Sequence, residues 1–162
     1  MRNSMRFDTD DPGWPGHVTR REGLEQRLRP GMRASMWGAM AGNLAWEMLR
    51  IVGRRGRVWC QEPDPRRTEQ ARDFFVLPNL DWCDSPNIEW PTWDTCDLCV
   101  VDWVPQGGDH LVLEALRGWP PLPTVRSVMT EQRDPITEAW MREHGFQHAA
   151  DSRRNHEWWD RR

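Results

Sequence analysis

Gly56-Arg57-Val58-Trp59-Cys60-Gln61-Glu62-Pro63-Asp64-Pro65 reads as a short apolar strand that ends on a carboxylate, followed by a Pro-Asp-Pro turn that opens a helix. In open α/β sheets, ligands bind beyond the carboxyl ends of the strands. A carboxylate at the end of the second strand can accept from both hydroxyls of a ribose. Upstream, Gly38-Ala39-Met40-Ala41-Gly42-Asn43 is a loop that runs straight into an amphipathic helix. A glycine bend beside a strand-end carboxylate predicts a site for a nucleoside-containing ligand.

Working outward, Leu44, Met48 and Val52 repeat at helical spacing and Gly53 terminates the run. Thr19 to Leu28 is expected as a helix stopped by Pro30-Gly31, and Met32 to Trp37 as a first strand. Arg57 to Gln61 is the second strand and Pro65 to Phe74 a helix. A third strand is expected at Phe75 to Leu77, or at its longest to Asp81. Leu98 to Trp103 is apolar enough for burial on both faces. Asp109 to Arg117 and Pro135 to His144 read as helices, Val125 to Thr130 as a fifth strand, and Phe146 to Ala150 with His156 to Trp159 as a closing hairpin. Strands alternating with helices imply a mostly parallel sheet. Residues 1–18, with Asp8, Asp10, Asp11, Pro12, Gly13 and Pro15, are expected as an irregular arm and 19–162 as one domain.

Composition narrows the chemistry. At 162 residues the chain is long enough to bury roughly 70% of its unfolded surface, and its hydrophobic fraction is 38%. A formal net charge of -3 argues against non-specific nucleic-acid binding. No apolar run approaches the ~20 residues of a membrane span, and the start of the chain, Met1 to Asp11, is too polar for a signal peptide, so a cytoplasmic location is expected. Lys and Tyr are absent, which excludes Schiff-base chemistry, a P-loop lysine and a Tyr/Lys dehydrogenase pair. A Gly-x-x-x-Gly loop also differs from the dinucleotide fingerprint. Twelve Trp supply core volume and stacking surface for a flat ligand. Cys96 and Cys99 have zinc-knuckle spacing, but the run Cys96 to Val104 reads as strand-like, in which they would face opposite ways, and no second Cys/His pair accompanies them, so no metal site is expected.

Taken in order, several pieces resemble the FkbM family of S-adenosylmethionine-dependent methyltransferases: Leu28-Arg29-Pro30-Gly31-Met32, the Gly38 to Asn43 loop, Gly56-Arg57-Val58 with Glu62-Pro63-Asp64-Pro65, Asp97 to Asp102, Gln106-Gly107-Gly108-Asp109, Leu116-Arg117-Gly118, Thr130-Glu131 and His144-Gly145-Phe146. The resemblance spans roughly residues 25 to 160. It implies a Rossmann-like class I methyltransferase fold with a C-terminal β-hairpin, S-adenosyl-L-methionine as cofactor, and O-methylation of a small-molecule or glycan hydroxyl. The chain departs from the family where an acidic residue ahead of the first glycine is Met36, a lysine is Val100 and a glutamate is Gln106. Those lost charges keep open a non-catalytic member with a structural or assembly role.

The resemblance and the physics together nominate site residues. Gly38, Ala39, Gly42 and Asn43 would cradle the methionine end, since glycines admit close backbone approach and a helix N-terminus favours an anion. Glu62 and Pro63 would meet the ribose. Asp81 or Asp84, expected after the third strand, would meet the adenine amino group. Asp102, at the end of the fourth strand, is placed to orient or deprotonate the acceptor, with Asp109 and His110 on the following loop. Neither the acceptor nor the oligomeric state, a homo-oligomer included, is written in any readable motif.

Overall fold

The structure is a computed structural model and describes residues 15–39, 42–72, 76–102, 108–153 and 156–162, with side chains from residue 20 onward and without that of residue 109. Its elements are helix α1 (Pro15–Arg27), strand β1 (Arg33–Trp37), α2 (Asn43–Val52), β2 (Arg57–Gln61), α3 (Pro65–Gln70), β3 (Leu80–Cys83), β4 (Leu98–Val101), α4 (Gly108–Leu116), β5 (Ser127–Thr130), α5 (Pro135–Glu143), β6 (Phe146–His148) and β7 (Glu157–Arg161). The strands form one sheet in the order β3-β2-β1-β4-β5-β7-β6. Pairings among β1 to β5 are parallel; β7 enters antiparallel between β5 and β6.

Local chemistry explains the boundaries. Both α3 and α5 start on Asp-Pro: Asp64 accepts from the Arg66 amide and Asp134 from the Thr137 amide, while the proline that follows has no amide to leave unsatisfied. All four residues of β4 and of β5 are buried, as strands covered on both faces require. On one face α1, the Leu28 that follows it and α2 lay Leu24, Leu28, Leu44, Met48 and Val52 against Ala34, Met36, Val58 and Val100. On the other, α4 and α5 contribute Val112, Leu113, Leu116, Trp140 and Met141 around Trp37, Trp119 and Trp159. Burial of each large side chain contributes about 1.5–3 kcal/mol.

Helix α1 is joined closely to the far side of the sheet. A methyl group added at Gly23 would overlap the Trp158 indole of β7. Arg27 reaches across that ring, with its guanidinium carbon 4.3 Å from the ring centre, to Asp151 at 2.7 Å and Asp160 at 2.8 Å.

Three expectations need correction. The third strand lies at Leu80–Cys83, beyond Phe75 to Leu77 and overlapping only the end of the longer expected segment to Asp81, because Leu80 is the side chain that reaches the core while Val76 is exposed. Pro15 and Gly16, assigned to the irregular arm, belong to α1. Cys96 sits before β4 rather than in it, so both thiols meet one hydroxyl: Ser35 Oγ lies 3.5 Å from Cys96 Sγ and 3.2 Å from Cys99 Sγ. Burial pushes the Cys99 thiol well up, which disfavours the thiolate a metal needs. No metal-binding group of three or more His, Cys, Asp or Glu occurs among the described residues.

Candidate functional site

The sheet register places the site. Trp37 pairs with Gln61 and with Val101, Gln61 with Cys83, Val101 with Thr130, and Thr130 with Glu157. One step further along, Asp84, Glu62, Gly38, Asp102, Glu131 and His156 fall into a single row across six neighbouring strands. The ladder continues into that row through Glu62 N to Cys83 O at 2.9 Å, Gly38 N to Gln61 O at 3.0 Å and Asp102 N to Trp37 O at 2.8 Å. Neighbouring members are therefore about 5 Å apart along the edge. β1 and β4, whose connections leave in opposite directions, meet at the centre of this edge, where open α/β sheets hold their ligands.

Over β1 and β2 the site is built from backbone. Gly38 (φ 85°) and Gly42 (φ 96°) hold left-handed conformations that strain any other residue. The Gly38 and Ala39 amides both donate to Gln61 O, at 3.0 and 3.1 Å, which seats the glycine bend beside Glu62 as expected. Gly42 caps α2 without a side chain, so the first-turn amides of that helix have no side-chain acceptor from the cap. Asn43, the first residue of α2, has a buried Oδ1 with no hydrogen-bond partner among the described residues. Met40 and Ala41, between the glycines, lie outside the described residues.

Glu62 is 1% exposed. Its Oε1 accepts from Asp64 N at 3.1 Å and lies 4.0 Å from the Arg67 guanidinium. Pro63 follows, half-buried, and Thr68 of α3 donates to Glu62 O at 3.1 Å. Asp84 is the first residue past β3 and lines a cleft of about 210 Å³ with Pro65, Thr68, Glu69 and Arg72. Asp81 is inside β3, not after it, and its carboxylate bonds the Arg57 guanidinium at 2.9 Å on the exposed side of the sheet.

Over β4, β5 and β7 the row is built from side chains, with Asp102 and His156 buried and Glu131 half-buried. Asp102 is 5% exposed and accepts from Arg20 Nη1 of α1 at 3.0 Å. Glu131, next in the row, has its carboxyl raised above the ordinary value by burial and by the charge of Asp102, with Arg20 opposing. His156 is held down to about 4 by burial and by Arg20, so its ring is neutral at physiological pH. His110 turns elsewhere: its Nε2 lies 3.0 Å from Asp134 Oδ2, tying α4 to the cap of α5 rather than joining the row. Asp109 is in α4, and its side chain is outside the described residues.

Arg20, Glu131 and His156 were not among the nominated residues. Glu131 had a signal, since it stands to β5 as Glu62 stands to β2. Arg20 and His156 have no local one. Gln61 was also missed: its side-chain amide donates to Ser85 O and Asn87 O at 2.9 and 2.6 Å and accepts from Glu89 N at 3.0 Å. It holds the loop after β3 against the tryptophan face, where Trp37 Nε1 donates to Glu89 O at 2.6 Å.

No protein-family model and no curated protein matches the chain, so nothing beyond the ordered motifs supports the narrower FkbM resemblance. Solved structures do match. A SAM-dependent methyltransferase from Aquifex aeolicus superposes with a TM-score of 0.65 at 16% identity, over 97% of this chain and 94% of that one. Fibrillarin from Aeropyrum pernix, with natively bound S-adenosyl-L-methionine, gives 0.57 at 15% identity over 81% and 66%. The 23S rRNA methyltransferase ErmE gives 0.60 at 14% identity over 91% and 68%. At these identities the likeness establishes the fold: mixed α/β, Rossmann-like, of the class I methyltransferase type. ErmE, by its name, acts on RNA, which weakens an exclusion of nucleic acid argued from net charge alone. No helix of the described residues is long and apolar enough to cross a membrane.

Proposed function

We propose that the protein is an S-adenosylmethionine-dependent methyltransferase. The observation that carries this reading is the row itself, in which a glycine bend, a buried carboxylate and a second buried carboxylate stand side by side at the centre of the edge. The residues present fit the cofactor: the uncapped start of α2 and the partnerless Asn43 Oδ1 are polar groups in want of a ligand. Gly38, Ala39, Gly42 and Asn43 would hold the methionine end, Glu62 and Pro63 the ribose, and Asp84 the adenine. Bound there, S-adenosylmethionine supplies an electrophilic methyl group on a sulfonium that becomes a neutral thioether.

For the acceptor we favour a hydroxyl of a small molecule or glycan, which rests on the FkbM resemblance. Asp102 fits a role in orienting that hydroxyl, being fixed by Arg20 beside Gly38. Calorimetric titration with S-adenosylmethionine and S-adenosylhomocysteine tests the cofactor. Micromolar binding is the expected result, and no heat at near-millimolar ligand would remove the enzyme reading. Transfer of a tritiated methyl group to sugars and phenols, but not to total RNA, is the expected acceptor profile.

One observation favours a second reading, a non-catalytic protein on the same fold. The Gly38 and Ala39 amides are consumed by Gln61 O, and Glu62 Oε1 is turned toward Asp64 N. The same titration separates the two, because only the first reading requires Glu62 to leave Asp64 for a ligand.

A further inference from the structure

The right half of the row holds two carboxyl groups in unlike surroundings. Asp102 follows β4, Glu131 follows β5, and the Val101–Thr130 pairing brings them side by side. Arg20, from a helix packed on the same face, bonds Asp102 at 3.0 Å and is itself 8% exposed. His156, one residue before β7, closes the row on the far side, since Thr130 pairs with Glu157. Glu157 leaves the row, with its Oε2 taken by His148 Nε2 at 2.6 Å. Among the described residues, Asp102 and Arg20 act on Glu131 directly, and the register sets His156 beside it.

Sites that separate the tasks of two neighbouring carboxyls do so by giving them different environments. Asp102 accepts a hydrogen bond from Arg20 at 3.0 Å, and at Glu131 the same cation opposes the effect of burial and of Asp102 without reversing it. Glu131 has the negative charge of Asp102 beside it and partial burial around it. Of the two, Glu131 is the group that gains by accepting a proton.

We propose that Glu131 is the proton acceptor of the methyl-transfer centre, and that Asp102, fixed by Arg20, is a positioning residue rather than the base. The inference rests on the methyltransferase reading above. Methylation converts an acceptor X–H into X–CH3, with the new bond formed by the lone pair of X and the electrons of the broken C–S bond retained by sulfur. One proton is left over. It moves from X to a Glu131 carboxylate oxygen and from there to solvent. His156 stays neutral and lends a lone pair or an N–H to the same site without adding a competing charge.

The test needs neither an acceptor nor turnover. Carboxyl carbons of Glu and Asp in the full chain are labelled with 13C, Glu131 is assigned by the signal missing in Glu131→Gln, and its titration is followed by NMR. The expected midpoint lies above that of an ordinary glutamate and moves down in Asp102→Asn. Addition of S-adenosylmethionine, whose sulfonium is positive, should lower the midpoint further, and neutral S-adenosylhomocysteine should not. An ordinary midpoint, or one indifferent to Asp102→Asn, overturns the pair. A raised midpoint that responds equally to both ligands overturns its placement at the transfer centre. Absence of binding by either ligand to the unaltered protein, read by calorimetry, overturns instead the methyltransferase reading, while the titration still decides the pair. Where Glu131→Gln folds poorly, Glu131→Asp supplies the same assignment, and the midpoint with its response to the two ligands is read on the unaltered protein.

Discussion

Over β1 and β2 the carboxyl edge is shaped by backbone, whereas over β4, β5 and β7 it is shaped by buried charge. The first half consists of two positive-φ glycines, an uncapped helix start and amides tied to Gln61 O. The second consists of Arg20, Asp102, Glu131 and His156, which come from four places in the chain. Backbone dipoles are set by local conformation and hold whatever the neighbouring side chains do. Buried charges hold only while every partner is present. The two halves should therefore fail differently when altered.

Arg20→Met should have the largest effect. It strands the Asp102 carboxylate, and the expected loss of stability is roughly 3–5 kcal/mol in urea unfolding. Adding Asp102→Leu to that variant should recover most of the loss, because the buried pair is then replaced by apolar volume. A single variant as stable as the parent would mean that the pair is solvated and that the charged half is not built as described.

On the other half, Glu62→Ala is expected to weaken S-adenosylmethionine binding by roughly 1–3 kcal/mol, with little change in the unfolding midpoint. Unchanged affinity would count against Glu62 as the ribose ligand. Gly42→Ala tests the backbone claim directly: forcing a Cβ into φ 96° should cost about 1–2 kcal/mol of stability and lower affinity as well.

Acidity sharpens the charged half. His156 is held down to about 4 from 6.5, so the folded protein rejects a proton that the unfolded chain accepts. Stability is expected to be fully present above about pH 6.5 and to fall as pH drops toward 4. Glu131 works in the opposite sense. Its raised carboxyl contributes stability that is present below about 4.5 and is lost as pH rises. Urea midpoints measured across this window should slope less in His156→Gln and more steeply in Glu131→Gln. The smallest effect belongs to Asp81→Asn, which removes a surface pair worth less than about 1 kcal/mol and should leave cofactor affinity unchanged.

The difference between the halves is also a difference in legibility. Glycines and prolines state their conformational demands within a few residues, so the Gly38 to Asn43 bend and the Glu62 turn could be read directly. Asp102 was readable for the same reason, as the acid that ends an apolar run. Asp81 went astray because the third strand is short and only its first residue is buried, which leaves little periodicity to locate its end. His110 looked like a loop histidine beside the site until Asp134 drew it to α5. The Cys96 and Cys99 thiols looked divergent until the strand was seen to begin at Leu98.

By itself, the order of residues determined the alternating strands and helices, the Asp-Pro helix starts and the position of the glycine bend, because propensity, capping and φ preferences act over one or two turns of chain. Only the tertiary structure decided that Arg20 faces Asp102 and that Glu131 and His156 complete the row. Those contacts depend on the docking of α1 against the sheet, which brings residues 82 positions apart to 3.0 Å, and on strand order and register, none of which leaves a periodic trace in the chain.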